Sequence, residues 1–183
     1  MIMAPPLRKF ALTLHVTASV GWVGAVMSFL ALAIAGLTSQ EPQLVRAAYL
    51  AMEWTGWYVI VPLCLASLVT GLVTALGTHW GLFRYYWVVV KLLISIVAAL
   101  ILFGFTQTLG YLGDVAADTT VSVEVLRSFG QSPVLHSGGG LLALLVTTTL
   151  SVYKPQGLTP YGWRKQHTRT RSSAKNTVSH SRL

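Results

Sequence analysis

A chain of 183 residues that is 54% hydrophobic and only 10% charged falls far below the roughly 25% charge of a soluble domain, which excludes an ordinary water-soluble fold. The net charge of +8 would point to nucleic acid in a soluble protein, but seven of the thirteen Lys and Arg residues lie from Lys154 onward, in a segment without acids. That asymmetry is a topology signal, so no nucleic-acid partner is expected.

The first apolar run, residues 10–37, contains no formal charge and only His15. At 1.5 Å per residue it reaches roughly 40 Å, more than the ~30 Å hydrocarbon core, and spans with tilt. Arg8 and Lys9 precede it and Ala33-Ile34-Ala35 resembles a cleavage site, yet the run is about twice a signal-peptide core of 7 to 15 residues. It reads as a retained helix. The second run, residues 55–77, has Pro62 near one end as a kink or starting point, with Trp54, Trp57 and Tyr58 at interface level. The third, residues 85–109, is interrupted only by Lys91, and the fourth, residues 134–153, only by His136. Continuous apolar runs select helices, because barrel strands would alternate polar and apolar positions. The fold class is therefore all-α, a four-transmembrane-helix bundle over residues 1–155 with a basic tail over 156–183.

Basic residues orient the chain. With the N-terminus inside, Arg8, Lys9, Arg84 and the tail are cytoplasmic, and only Arg46 and Arg127 lie outside. The expected location is a bacterial cytoplasmic membrane with both termini cytoplasmic and the lipid bilayer as the main partner. The outer segment 110–133 alternates acids with Val, Leu and Phe, as a short amphipathic surface helix or a solvated loop would. The tail, rich in Ser, Thr, Lys and Arg, reads as disordered. It is a topology anchor or a site for anionic lipid, at about 1 kcal/mol per basic residue near the surface. The lone Cys64 excludes an intrachain disulfide, and oligomeric state is not legible.

Close packing of small residues holds helices together in lipid. Three such stripes are present: Thr13, Thr17, Gly21 and Ala25; Ser67, Gly71 and Ala75 with Thr70 and Thr74; and His136, Gly140, Ala143 and Thr147 beside Gly138 and Gly139. Lys91 lies about 10 Å below the inner boundary, within snorkelling reach of the headgroups. His15 is at a similar depth, because the first and third helices run in the same direction, so the two can meet inside the bundle. His136 belongs to the other leaflet, roughly 15 Å away in depth, given a ~30 Å core. A bis-histidine iron needs its nitrogens about 4 Å apart, which disfavours one haem shared by His15 and His136. No CxxC, HExxH, Walker loop or GxGxxG in a suitable setting is present, and no acid lies within a span.

The segment from Leu14 to Gly24, LHVTASVGWVG, resembles the opening helix of a family of small bacterial predicted integral membrane proteins, the domain of unknown function 2269. Gly81 to Trp87, GLFRYYW, followed by Lys91, and Leu135-His136-Ser137-Gly138 extend the resemblance over most of residues 10–155. The opening is also similar to copper-resistance membrane proteins of the CopD type and to a membrane protoporphyrinogen oxidase family that binds haem. That resemblance implies His15 and Lys91 as cofactor-binding positions and haem b as the cofactor; His136 is a further candidate on its position alone, as an axial ligand of a separate cofactor or as the lining of a separate end of a polar cavity. The leading expectation is a non-catalytic or accessory membrane protein; the alternatives are a haem b or porphyrin-binding redox protein using His15 with Lys91, and copper-ion transport.

Overall fold

In a computed structural model that describes residues 3–78, 81–155 and 157–164, the chain is all helix. The elements are α1 (Pro5–Thr38), α2 (Pro42–Thr55), a π turn (Gly56–Ile60), α3 (Val61–Gly77), α4 (Tyr86–Ala117), α5 (Val123–Ser128) and α6 (Gln131–Tyr153). Four helical stretches, Pro5–Thr38, Pro42–Gly77, Tyr86–Ala117 and Val123–Tyr153, are long and apolar enough to cross a membrane. They pack as a bundle, and the chain is an integral membrane protein with four spans.

Prolines start the helices where a missing N–H does no harm: Pro5 opens α1 and Pro42 opens α2. Pro62 sits deeper, inside a helix that continues from Pro42 to Gly77. Its ring would strike the carbonyl four residues back in an α-helix. The π turn removes the conflict, with the Val61 N–H bonded to the Gly56 carbonyl five residues earlier. The sequence reading expected a kink or a start here, and the wider turn is how the chain passes the proline without breaking.

The helices run past the apolar runs at one end of the bundle. The whole of α2, the last turns of α4 and the six-residue α5 form a cap there, and most of the fully buried large side chains belong to it: Val45, Tyr49, Met52, Leu109, Leu112 and Leu126. The physical cause is solvent. Beyond the hydrocarbon, apolar groups must bury against each other as in a soluble protein, whereas within it Leu100, Leu142 and Val152 stay on the outside against lipid.

Polar side chains tie the cap. Arg46 donates to the carbonyls of Val115, Ala116, Asp118 and Val121, closing the C-terminal end of α4. Tyr49 Oη donates to the Leu126 carbonyl at 2.8 Å, and Arg127 Nη2 to the Ser39 carbonyl at 2.9 Å. Asp118 accepts from the Thr120 backbone N–H and hydroxyl. Those bonds, hydroxyl first, together with nearby Arg46, hold the Asp118 carboxyl below its usual range. Segment 110–133 is thus a packed cap, with Val123 and Leu126 turned into the protein.

Two packing stripes differ from those read in the sequence. On α1, Thr13 and Thr17 are exposed, Gly21 keeps its place in the stripe by packing against Leu63 of α3, and the buried line is Ala11, Ala18, Trp22, Val26, Phe29, Ala33 and Gly36. On α6 the buried line is Pro133, Ser137, Leu144 and Thr147, while a Cβ at Gly138, Gly139 or Gly140 would meet nothing within 4 Å. Those glycines leave space open and do not bring helices together. The α3 stripe holds at Ser67, which is buried, and at Gly71, which faces His15.

At the other end the start of the tail is docked. Leu158 pairs with Tyr85, the Tyr86 N–H donates to the Gly157 carbonyl, and the Thr159 N–H donates to that of Arg84. Thr159 Oγ1 then accepts from the Gly162 N–H. A side chain at position 162 would collide with the Arg84 carbonyl, 2.4 Å from its Cβ. Residues 157–164 therefore depart from the disorder expected of the tail, because backbone pairing and a Thr cap satisfy them; residues 165–183 lie outside the described residues.

Candidate functional site

α1 packs on α2, α3 and α6, and α4 packs on α2 and α6, but α1 and α4 scarcely approach each other. The space left between them holds two features, a polar network towards the end where α1 begins and an apolar cleft beyond it.

The polar network links all four spans. Lys91 Nζ on α4 donates to Ser151 Oγ on α6 at 2.7 Å and lies 3.4 Å from His15 Nε2 on α1. His15 Nδ1 stands 3.1 Å from the Ser67 carbonyl and 3.2 Å from Thr70 Oγ1, both on α3. The partners fix the proton: a carbonyl only accepts, and the Thr70 hydroxyl is already spent on the Ala66 carbonyl at 2.6 Å. Nδ1 therefore carries the hydrogen and Nε2 presents its lone pair to the ammonium. Ser19 and Ser67 share a further bond at 2.8 Å, and Ser151 donates to the Thr147 carbonyl. Gly71 makes the room, since a Cβ there would come within 3.0 Å of His15 Cε1. The sequence reading that His15 and Lys91 share a depth is matched by this contact.

The cleft has a volume of about 520 Å³. Its floor is Trp22, Val26 and Phe29 of α1, and its walls are α4 from Leu93 to Leu109 and α6 from Leu135 to Leu144. Leu93, Val97, Ile101 and Leu135 at its rim are exposed, so it opens sideways between α4 and α6 where lipid tails lie. Trp22 stands seven residues from His15 on α1, Leu144 seven from Ser151 on α6 and Leu93 two from Lys91 on α4, which places the network next to that end of the cleft.

His136 belongs to the cleft and not to the network. Fifteen residues of α6 separate it from Ser151, about 22 Å of helix axis. It is exposed to the cleft, stacked on Phe105 with ring centroids 4.2 Å apart, and its Nδ1–H donates to the Ser132 carbonyl at 2.8 Å. Nε2 carries the lone pair and has no partner among the described residues. The three candidate residues thus divide into a pair, His15 with Lys91, and a separate His136.

The cleft itself was missed in the sequence. Its one visible trace is the run Gly138-Gly139-Gly140, three residues without side chains where a span would normally fill its neighbour's groove. Among the described residues no three His, Cys, Asp or Glu side chains come together as a metal site would require. The buried Cys64 has no disulfide partner. No family model matches the chain, and no curated protein or solved structure matches it either.

Proposed function

We propose that the chain is a non-catalytic or accessory protein of a bacterial cytoplasmic membrane that holds an apolar, bilayer-dissolved ligand in the cleft between α4 and α6. The observation that supports this reading is the cleft: about 520 Å³ of almost wholly apolar lining, aromatic at its floor, with one imidazole nitrogen unused. Sites for small ligands are of this size and polarity, with few polar groups to set orientation. A ligand with one hydrogen-bond donor would satisfy His136 Nε2. The His15–Lys91–Ser151 network then acts as the latch that joins the two walls and the floor beside the cleft. Both termini are taken as cytoplasmic, on the distribution of Lys and Arg, and the tail beyond 164 as an anchor against anionic lipid.

The test is purification in mild detergent followed by organic extraction and mass spectrometry. A stoichiometric apolar compound that is lost in Gly139→Leu, which fills the cleft, supports the reading. An empty wild-type protein, or equal retention by the variant, overturns it.

A second reading, a haem b or porphyrin-binding protein, draws on the resemblance at His15 and Lys91. The lone pair of His15 already faces an ammonium, whereas His136 has the arrangement of a metal-ligating histidine, one N–H given to a backbone carbonyl and the other nitrogen unused. The cleft beside it is large and flat-walled by Phe105. A Soret band removed by His136→Ala and kept in His15→Ala would favour a porphyrin in the cleft; removal by His15→Ala alone would return the site to the network. Copper passage has no comparable support.

A further inference from the structure

Where α2 passes into the π turn, four consecutive-face residues, Glu53, Trp54, Trp57 and Tyr58, surround a hollow of about 340 Å³. It lies outside the cleft and shares no residue with it. The Trp54 and Tyr58 rings stack at 4.8 Å with 29° between their planes. Glu53 reaches across to α4, and a Cβ on Gly113 would stand 1.9 Å from its Oε2. Only a glycine at 113 admits the carboxylate. Among the described residues Glu53 has no ion pair and no side-chain hydrogen bond.

The position is the headgroup level, because the apolar run begins at Thr55. Tryptophan and tyrosine are common there as interfacial anchors. Anchoring alone explains neither a carboxylate lodged under the rings nor the glycine that makes its seat. A half-buried carboxylate without a cation is costly, and the faces of Trp and Tyr attract cations through their quadrupole, quaternary ammonium groups above all. Below Tyr58 the exposed residues Leu65, Val69 and Leu76 continue down the span at helical spacing, a strip on which an acyl chain can lie.

We propose that Glu53, Trp54, Trp57 and Tyr58 form a binding site for the ammonium group of a zwitterionic phospholipid headgroup. The carboxylate meets the charge, the rings cover its apolar flanks, and the strip below takes the lipid's tail. The π turn assists by widening the helix where the four side chains must converge, and such turns recur at functional positions.

The test uses the full-length protein in mild detergent, titrated with dioleoyl phosphatidylethanolamine and separately with dioleoyl phosphatidylglycerol, bound lipids being counted by native mass spectrometry. The first lipid should fill one site about fivefold more tightly than the second, as one cation–aromatic contact plus one interfacial ion pair allow. Glu53→Gln, which keeps the side-chain volume, and Tyr58→Leu should each abolish the preference. Equal binding of the two lipids by the wild type, a preference that survives both variants, or binding of soluble tetramethylammonium without any lipid preference would overturn the proposal.

Discussion

Lys91 Nζ and His15 Nε2 approach to 3.4 Å across the gap between α4 and α1, two helices whose backbones otherwise stay apart. A long, flexible side chain bridges what helix packing leaves open. The partners are a neutral imidazole and a serine hydroxyl, so among the described residues the ammonium is solvated by dipoles and meets no counter-charge.

Removing the two ends of that bridge should have unequal effects. Lys91→Met keeps the volume and deletes the charge, and replacing a buried ionic group by a packed apolar one is often neutral or stabilising. Its effect on thermal unfolding in detergent should stay within about 1 kcal/mol. His15→Leu removes the acceptor and leaves the ammonium behind, with a loss of about 1–3 kcal/mol. A larger loss in Lys91→Met than in His15→Leu would refute the arrangement described.

Gly139 faces open space, so Gly139→Ala should fold at least as well as the wild type. Alanine is favoured over glycine inside a helix by about 0.8–1.0 kcal/mol. A clear fall in the melting temperature of Gly139→Ala would mean that another helix occupies the cleft.

Arg46 is the cap's most heavily used donor, with four carbonyl partners. Arg46→Met keeps part of the stem packing and strips every one of those bonds. A loss of about 1.5–3 kcal/mol is expected, with the earliest rise in amide exchange at residues 115–121. Exchange that rises first in the spans would contradict this placement.

The pH dependence of the cap follows from Asp118. Its carboxyl is held below the ordinary value near 3.9 by Thr120 and Arg46. A depressed folded-state value means that stabilisation is fully present above the unfolded value and is lost as pH falls through the folded one. The stability difference between wild type and Asp118→Asn should therefore be constant from pH 7 to about pH 5 and shrink below about pH 4. Melting temperatures recorded against pH in detergent read this directly; a difference that widens on acidification would reverse the sign.

The four spans were legible because length and charge depletion survive any rotation of a helix. The depth match of His15 and Lys91 was legible for a similar reason, being a matter of counting along parallel helices. Facing was not. Thr13 and Thr17 looked like a packing stripe, yet they point outward and the larger Trp22 and Phe29 point inward. In a bilayer both sides of a helix are apolar, so the contrast that marks the inner face of a soluble helix is absent. The cap was hidden for the opposite reason. Pro42 to Glu53 and 110–117 carry enough charge to look like loops, while Val45, Tyr49, Met52 and Leu112 in the same segments build the tightest part of the core.

For the bilayer-dissolved ligand proposed above, the sideways mouth of the cleft, rimmed by Leu93, Val97, Ile101 and Leu135, determines which concentration would govern occupancy. A molecule arriving there must first dissolve in the bilayer, so saturation follows its mole fraction among lipids and not its molarity in the surrounding buffer. Diluting the suspension tenfold would leave a strongly partitioned guest in place, whereas adding empty vesicles would draw it out.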